Sequence, residues 1–221
     1  MKKVLFVILC VFPALCAFPQ TNANEAINFG FENRKKEGYY NITQMGMLMG
    51  NRKITEQTFY VSNTRTQLQF SPSVTMTNGV LINNWAIGIG VGFEIYDHNL
   101  FPLFADVRYH FNDSRASPFF ALKAGHSFGN FRKKHYDNMS LDYEPYFISD
   151  VDFKNYGGLM LQPEMGVKIP LSEKVDILFT VAYRRQKMKT KVTPNSNWYN
   201  HVWKHEEAKN RLSFNMAFMF R

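Results

Sequence analysis

The chain has 221 residues, of which 45% are hydrophobic, 16% aromatic and 20% charged, with a formal net charge of +8. This length and composition fit one domain, or two small ones, and exclude a disordered or collagen-like chain. Both cysteines, Cys10 and Cys16, lie near the N-terminus. The rest of the chain therefore offers no thiolate for a disulfide, a nucleophile or a metal–sulfur site.

The N-terminus has the pattern of an export signal. Lys2 and Lys3 precede an apolar stretch over 4–17, which Pro13 interrupts and which is too short to span a membrane comfortably. A short positive segment followed by such a stretch is typical of a secretory signal peptide. We therefore predict export out of the cytoplasm.

Eight segments beyond the signal alternate large apolar residues with small or polar ones. The alternation is clearest near the C-terminus, where Leu212, Phe214, Met216, Phe218 and Phe220 take every second position. A period of two indicates β-strands with one apolar face. The predicted strands cover 39–50, 68–77, 85–96, 103–111, 120–128, 159–169, 175–183 and 212–220. Most are about the length that crosses a bilayer at a tilt.

The predicted connections alternate between long and short. The odd connections are 51–67, 97–100, 132–156 and 187–209, and three of these are long. The even connections are 78–84, 112–118 and 170–174, and all are short. Long loops at one end and short turns at the other are typical of an outer-membrane barrel. We predict an all-β protein with an eight-stranded antiparallel up-and-down transmembrane β-barrel.

A soluble β-barrel or sandwich would also alternate, with its apolar face inside and its polar face in water. The polar face of the predicted strands carries four acids and five bases at mid-strand: Glu94, Asp106, Arg108, Lys123, Glu164, Lys168, Asp176, Arg184 and Arg211. In a membrane barrel these charges form an ion-pair network in the lumen. Neighbouring strands offer Asp106 with Lys123, and Lys168 with Asp176, as pairs.

Several short motifs resemble small outer-membrane β-barrel proteins of Bacteroidetes-type bacteria. They are Gly-Tyr-Tyr-Asn-Ile-Thr at 38–43, Phe-Ala-Asp-Val-Arg-Tyr at 104–109, Ser-Pro-Phe at 117–119 and Lys-Ala-Gly at 123–125. The architecture is similar to the eight-stranded OmpX/OmpA transmembrane type and is porin-family-like. The resemblance implies a Gram-negative outer membrane. We predict a signal peptide over 1–20, a periplasmic segment over 21–38 and the barrel over 39–221. The resemblance implies no activity.

Function is expected in the long loops, because loops on a rigid scaffold carry most binding residues. The candidate contact residues are rings with hydrogen-bonding tips and their neighbours: Tyr143, Tyr146, Phe147, Trp198, Tyr199 and Trp203. We predict a monomeric, non-enzymatic protein with a structural or surface-interaction role, no cofactor, no metal and no nucleic-acid partner. Its expected partners are outer-membrane lipid, lipopolysaccharide and the barrel assembly machinery.

Two other functions stay open at this point. A lipid-modifying barrel enzyme would need a serine and a histidine on one face, whereas His126 and Ser127 are adjacent in a strand and point to opposite faces. A narrow ion or small-solute channel would need a continuous path through the lumen. His201 and His205 have helical spacing for a metal pair, but no third ligand is identifiable.

Overall fold

The chain folds into long antiparallel strands in a computed structural model that describes residues 36–58, 61–95, 99–111, 116–129, 134–139, 148–194 and 203–221. The strands are β1 (Glu37–Thr58), β2 (Val61–Ile82), β3 (Trp85–Glu94), β4 (Leu100–His110), β5 (Ser117–Gly129), β6 (Lys134–Met139), β7 (Ile148–Pro170), β8 (Val175–Pro194) and β9 (Trp203–Phe220). The predicted signal peptide over 1–20 lies outside the described residues. No helix among the described residues is long and apolar enough to cross a membrane.

The strands close into one barrel. Strands that follow each other in the chain are paired, except β5 and β6, and β1 pairs with β9 from Asn41–Phe220 to Gly50–Arg211. Strands β5 and β6 both pair with β7, so together they occupy one position in the wall. The barrel therefore has eight strand positions, all antiparallel, and the predicted fold class is confirmed.

The register fixes how the strands tilt. Paired residues followed once around the wall lead from Gly38 to Leu48 on β1, an offset of 48 − 38 = 10 residues. With a rise of about 3.3 Å per residue and strands about 4.8 Å apart, this offset tilts the strands by about 40°. Eight strands at this tilt leave an interior that side chains fill.

Apolar side chains face outward over the whole wall. Ile89 in β3 is 67% exposed and Leu159 in β7 is 61% exposed. We call the outward apolar surface of β1–β5 and β7–β9 the apolar belt. Its members include Met45, Met47, Phe70, Val74, Met76, Val80, Ile82, Trp85, Ile87, Val91, Phe93, Phe101, Leu103, Val107, Phe111, Phe120, Leu122, Leu161, Phe179, Val181, Phe214, Met216 and Phe220.

Aromatic rings mark both ends of the apolar belt. Near the short turns, Trp85 packs on Tyr109 with ring centroids 4.9 Å apart, and Tyr109 packs on Phe111 at 5.2 Å. At the other end, Phe93 packs on Phe101 at 5.2 Å. Two ring layers flanking an apolar band are typical of a barrel in a bilayer. A contiguous apolar surface of this extent is the reverse of what a water-soluble barrel exposes.

The strands run further than the alternation predicts, and three predicted long loops are wrong in part. Pairing of β1 with β2 continues to Thr58 and Val61, inside the predicted loop 51–67. Strand β7 begins at Ile148, and β8 and β9 together leave only 195–202 between them. Beyond a membrane both faces of a sheet meet water, so backbone pairing continues while the apolar alternation stops. The predicted loops 132–156 and 187–209 therefore include strand extensions.

The turns at the opposite end are short, as predicted. Strands β2 and β3 are joined by Asn83 and Asn84 alone, and Asn83 has φ of 54°. Asparagine tolerates this left-handed conformation, which a two-residue hairpin turn requires. Strands β7 and β8 are joined by 171–174, where the Ser172 hydroxyl accepts hydrogen bonds from the backbone N–H groups of Lys174 and Val175.

Candidate functional site

The candidate site is the lumen, where the inward residues of every strand meet. An apolar layer fills the end nearest the short turns and consists of Tyr40, Ile42, Leu81, Ala86, Phe119, Ala121, Leu178, Ala217 and Met219. These residues come from the start of β1, β3, β5 and β8 and the end of β2 and β9, so all lie at one end of the barrel. The layer occupies that end of the lumen with packed side chains.

Charged side chains lie above and around this layer. All nine charges that the sequence places on the inward face are buried: Glu94, Asp106, Arg108, Lys123, Glu164, Lys168, Asp176, Arg184 and Arg211. Burying so many charges costs free energy unless each is paired and hydrogen-bonded. The contacts between them therefore decide whether the lumen is stable.

The largest cluster surrounds Glu164 in β7. Its carboxylate lies 2.8 Å from Nζ of Lys123 and 3.6 Å from Nη2 of Arg108. Arg108 also holds Asp106, with Nη2 at 2.7 Å and Nε donating a hydrogen bond at 2.8 Å. The Lys123 ammonium reaches across the lumen and donates to Oε1 of Gln44 in β1 at 2.7 Å. Two cations and two anions thus share one water-excluded group.

Gln162 joins this cluster to a second one. Its amide nitrogen donates to Oε1 of Glu164 at 2.6 Å, and its amide oxygen accepts a hydrogen bond from Nε of Arg184. Arg184 in turn pairs with Glu94 on the far wall, in β3. An unbroken chain of polar contacts therefore runs from Asp106 to Glu94. We call this chain of six residues, together with the branch from Glu164 through Lys123 to Gln44, the lumenal network.

One predicted pair is wrong. Asp106 and Lys123 lie directly opposite each other in the register of β4 and β5. Their charged groups nevertheless contact other partners, because Arg108 takes the Asp106 carboxylate and Lys123 takes Glu164. A planar guanidinium offers a carboxylate two parallel donors, which a lysine cannot match.

The other predicted charges lie toward the two ends. Asp176 is buried at the short-turn end, where Nη2 and Nε of Arg221 both lie 3.0 Å from its Oδ2. Lys168 is buried nearby in β7, opposite Leu178 in the register. Arg211 is buried at the other end of the lumen, opposite Arg184 in the register of β8 and β9.

Two residues of the lumenal network, Gln44 and Gln162, were missed as site residues, because a search for charges passes over amides. The alternation of outward and inward residues along β1 could have identified Gln44. Met45 and Met47 face outward, so Gln44 must face inward. Gln162 has the same parity as the predicted Glu164.

The glycines of β3 leave room for large rings. A Cβ atom at Gly90 would overlap the ring of Phe104, and one at Gly88 would lie 2.6 Å from the hydroxyl of Tyr40. The Phe104 ring is also 5.2 Å from Nζ of Lys123, in a cation–π position. The absence of side chains at Gly88 and Gly90 thus leaves room for Tyr40 and Phe104, and the Phe104 ring stabilises the Lys123 ammonium.

We expect Gly90→Val to destabilise the barrel by about 1–3 kcal/mol, because the new side chain overpacks the lumen and displaces Phe104. The measurement is the free energy of unfolding in urea with the protein in lipid vesicles. Ala105→Val is the control, because Ala105 faces outward next to Ile89. Equal losses for the two variants would contradict tight packing at Gly90.

The charged side chains described in the lumen form ion pairs and hydrogen bonds with one another. His126 and Ser127 lie on opposite faces of β5; Ser127 is buried and its hydroxyl donates to Sδ of Met160 at 3.6 Å, while the His126 ring packs on Phe128. In the described part of the chain, no group of three or more His, Cys, Asp or Glu residues could hold a metal ion.

Of the predicted loop contacts, Tyr143, Tyr146, Phe147, Trp198 and Tyr199 lie outside the described residues. Trp203 begins β9, but its side chain is outside the described set, as are His201 and the side chain of His205.

Comparison with known proteins bears on the fold alone. No protein-family model and no curated protein sequence matches the chain. The solid-state NMR structure of outer membrane protein AlkL in DMPC bilayers matches with a TM-score of 0.50 at 10% identity, over 85% of this chain and 90% of that one. OprG from Pseudomonas aeruginosa matches with 0.49 at 11% identity, over 85% and 98% of the two chains. Neisserial surface protein A matches with 0.40 at 14% identity, over 81% and 97%. These structural neighbours are outer-membrane β-barrel proteins, and the AlkL match supports the barrel fold seen here.

Proposed function

We propose that this chain is an outer-membrane β-barrel protein that acts as a structural or surface-interaction element. The observation that carries the proposal is the inverted burial of the barrel: Arg108, Lys123 and Glu164 are buried in the lumen, while Ile89 and Leu159 are exposed on the outside. Only a surrounding apolar solvent makes this arrangement favourable. The proposal includes export by the signal peptide over 1–20 and, from the motif resemblance, a Bacteroidetes-type, porin-family-like origin.

Strand extensions are the surfaces we propose for interaction. Pairing of β1 with β9 ends at Gly50 and Arg211, whereas pairing of β1 with β2 continues to Thr58 and Val61. On the other side, β7, β8 and β9 remain paired up to Pro194 and Trp203. In the strands described, two separate ribbons thus project beyond the closed wall. Their backbone edges are places where another chain can add a strand.

The filled lumen favours this role over the two alternatives. The apolar layer that includes Tyr40 and Phe119 occupies one end of the lumen, and the lumenal network occupies its middle. A continuous solute path would have to displace paired charges, which favours a non-conducting barrel. We further propose that the protein is non-enzymatic, because His126 and Ser127 face opposite sides of β5, and that it is monomeric.

The experiment is electrophoretic mobility of the detergent-extracted protein, boiled against unboiled, together with cell fractionation. A closed barrel resists the detergent when cold, so we expect a heat-dependent shift in the outer-membrane fraction. Planar-bilayer recordings of the same material should show no steady single-channel conductance. Recovery in the soluble periplasmic fraction without a mobility shift would overturn the proposal, and a steady conductance would replace it with the channel.

A further inference from the structure

A row of cations continues the outward face of β8 beyond Val181 and Tyr183. Arg185, Lys187, Lys189 and Lys191 take alternate positions after Tyr183, so all four lie on the outward side of the wall. The first three are exposed, and Lys191 is half-buried. In contrast, the outward positions of β8 from Val175 to Tyr183 carry no lysine, arginine, aspartate or glutamate. We call Arg185, Lys187, Lys189 and Lys191 the basic stripe.

The neighbouring strands add to this positive surface. Lys191 lies directly opposite Lys154 of β7 on one side and Lys204 of β9 on the other. Like charges directly opposite each other in a sheet are destabilising. The three lysines in this row therefore repel one another, and a bound anion would reduce that repulsion.

Among the side chains that the structure describes, one acid faces the basic stripe. The Glu206 carboxylate lies 2.8 Å from Nζ of Lys189, and both side chains are more than half exposed. The hydrogen bond and charge of Lys189, with a further contribution from Lys187, lower the pKa of Glu206 below its usual value. One carboxylate against six cations leaves the surface strongly positive.

The stripe begins at the edge of the apolar belt, where Arg185 lies opposite Leu161 of β7, and this edge is where a lipid head-group layer would lie. Arg185 and Lys187 follow Tyr183 by two and four residues, which is about 5 Å and 10 Å along the barrel axis at a tilt of about 40°. The polar region of a bilayer leaflet is about 5–8 Å thick. Long lysine side chains bend toward such a layer from above, so Lys189 also reaches it. The short turns lie at the opposite end, which is the periplasmic end of barrels of this kind.

We propose that the basic stripe binds the phosphorylated head groups of outer-leaflet lipid. This inference rests on the outer-membrane location proposed above. The Arg185 guanidinium is suited to bidentate contact with a phosphate, and Lys187 and Lys189 supply mobile point charges beside it. The site would fix the depth of the barrel relative to one leaflet and leave the strand extensions outside the membrane.

The test measures binding of bisphosphorylated lipid A and of its dephosphorylated form to the folded protein in neutral micelles. Folding of each sample is first verified by the heat-dependent mobility shift, so loss of the barrel itself is seen separately. We compare the wild-type protein with R185Q/K187Q and with the control K36Q/K174Q. The control removes two exposed positive charges at the short-turn end, and both doubles lower the net charge equally.

We expect the wild-type protein to bind the phosphorylated lipid at least about tenfold more tightly, a preference that corresponds to about 1.4 kcal/mol. R185Q/K187Q should lose most of this preference, K36Q/K174Q should keep it, and added salt should weaken it. Equal binding of the two lipids by the wild-type protein, or equal losses in both doubles, would overturn the proposal. So would displacement of the lipid by inorganic pyrophosphate at similar concentration, or tighter binding of a soluble acidic polysaccharide, because either would assign the stripe to a different anion.

Discussion

Replacing Glu164 with glutamine is expected to lower the free energy of unfolding by about 3–5 kcal/mol, because the change leaves two buried cations without their shared anion. The carboxylate lies 2.8 Å from Lys123 and 3.6 Å from Arg108, and all three side chains are fully or almost fully buried. Glutamine keeps the shape and a hydrogen bond to Gln162 but not the charge. The measurement is urea unfolding of the barrel in lipid vesicles, followed by tryptophan fluorescence and by the heat-dependent mobility shift.

The matched variant is E164Q/K123M, which removes one charge of each sign. The attraction within a buried ion pair is largely offset by the cost of removing both charges from water. The double variant leaves fewer buried charges without a partner, so it should be more stable than E164Q alone. Glu206→Gln removes a carboxylate from the exposed pair with Lys189 and should leave unfolding unchanged. If E164Q and E206Q behaved alike, Glu164 would not lie in a water-excluded lumen.

Placing a lysine at Ile89 is expected to destabilise the protein in a bilayer by about 2–4 kcal/mol, as for charges on the lipid face at the bilayer midplane. Ile89 is 67% exposed and lies at the middle of β3, within the apolar belt. In a water-soluble barrel the same substitution at an exposed position would be close to neutral. The variant therefore tests directly which solvent surrounds the barrel.

Ile82→Lys is the matched control for Ile89→Lys. Ile82 is also an outward isoleucine, 49% exposed, but it ends β2 at the short-turn end of the apolar belt. A charge there reaches the interface, so the expected cost is about 0–1 kcal/mol. Both variants are measured in vesicles of one lipid. An equal cost at the two depths would contradict a membrane around the apolar belt.

The strand faces could be predicted from the sequence because the orientation of a side chain in a strand is a local property with a period of two. Ile87 and Ile89 face outward and Glu94 faces inward, as the alternation in β3 predicts. The same reasoning placed His126 and Ser127 on opposite faces. Where the alternation stops, as between Gly50 and Leu68, the prediction failed, because strands outside a membrane need no apolar face and pair through their backbones alone.

The sequence by itself determined the number of strand positions in the barrel, the outward apolar belt and the set of inward charges. The tertiary structure alone decided which of those charges meet. Lys123 reaches Gln44 and Arg184 reaches Glu94 across the lumen, over 79 and 90 residues of chain. These contacts depend on barrel closure and on the ten-residue offset between Gly38 and Leu48, which shifts each strand along its neighbour. The face to which a side chain points is set within its own strand. Which charged side chains meet across the lumen depends on the strand tilt and the barrel diameter, which are defined only once the wall has closed.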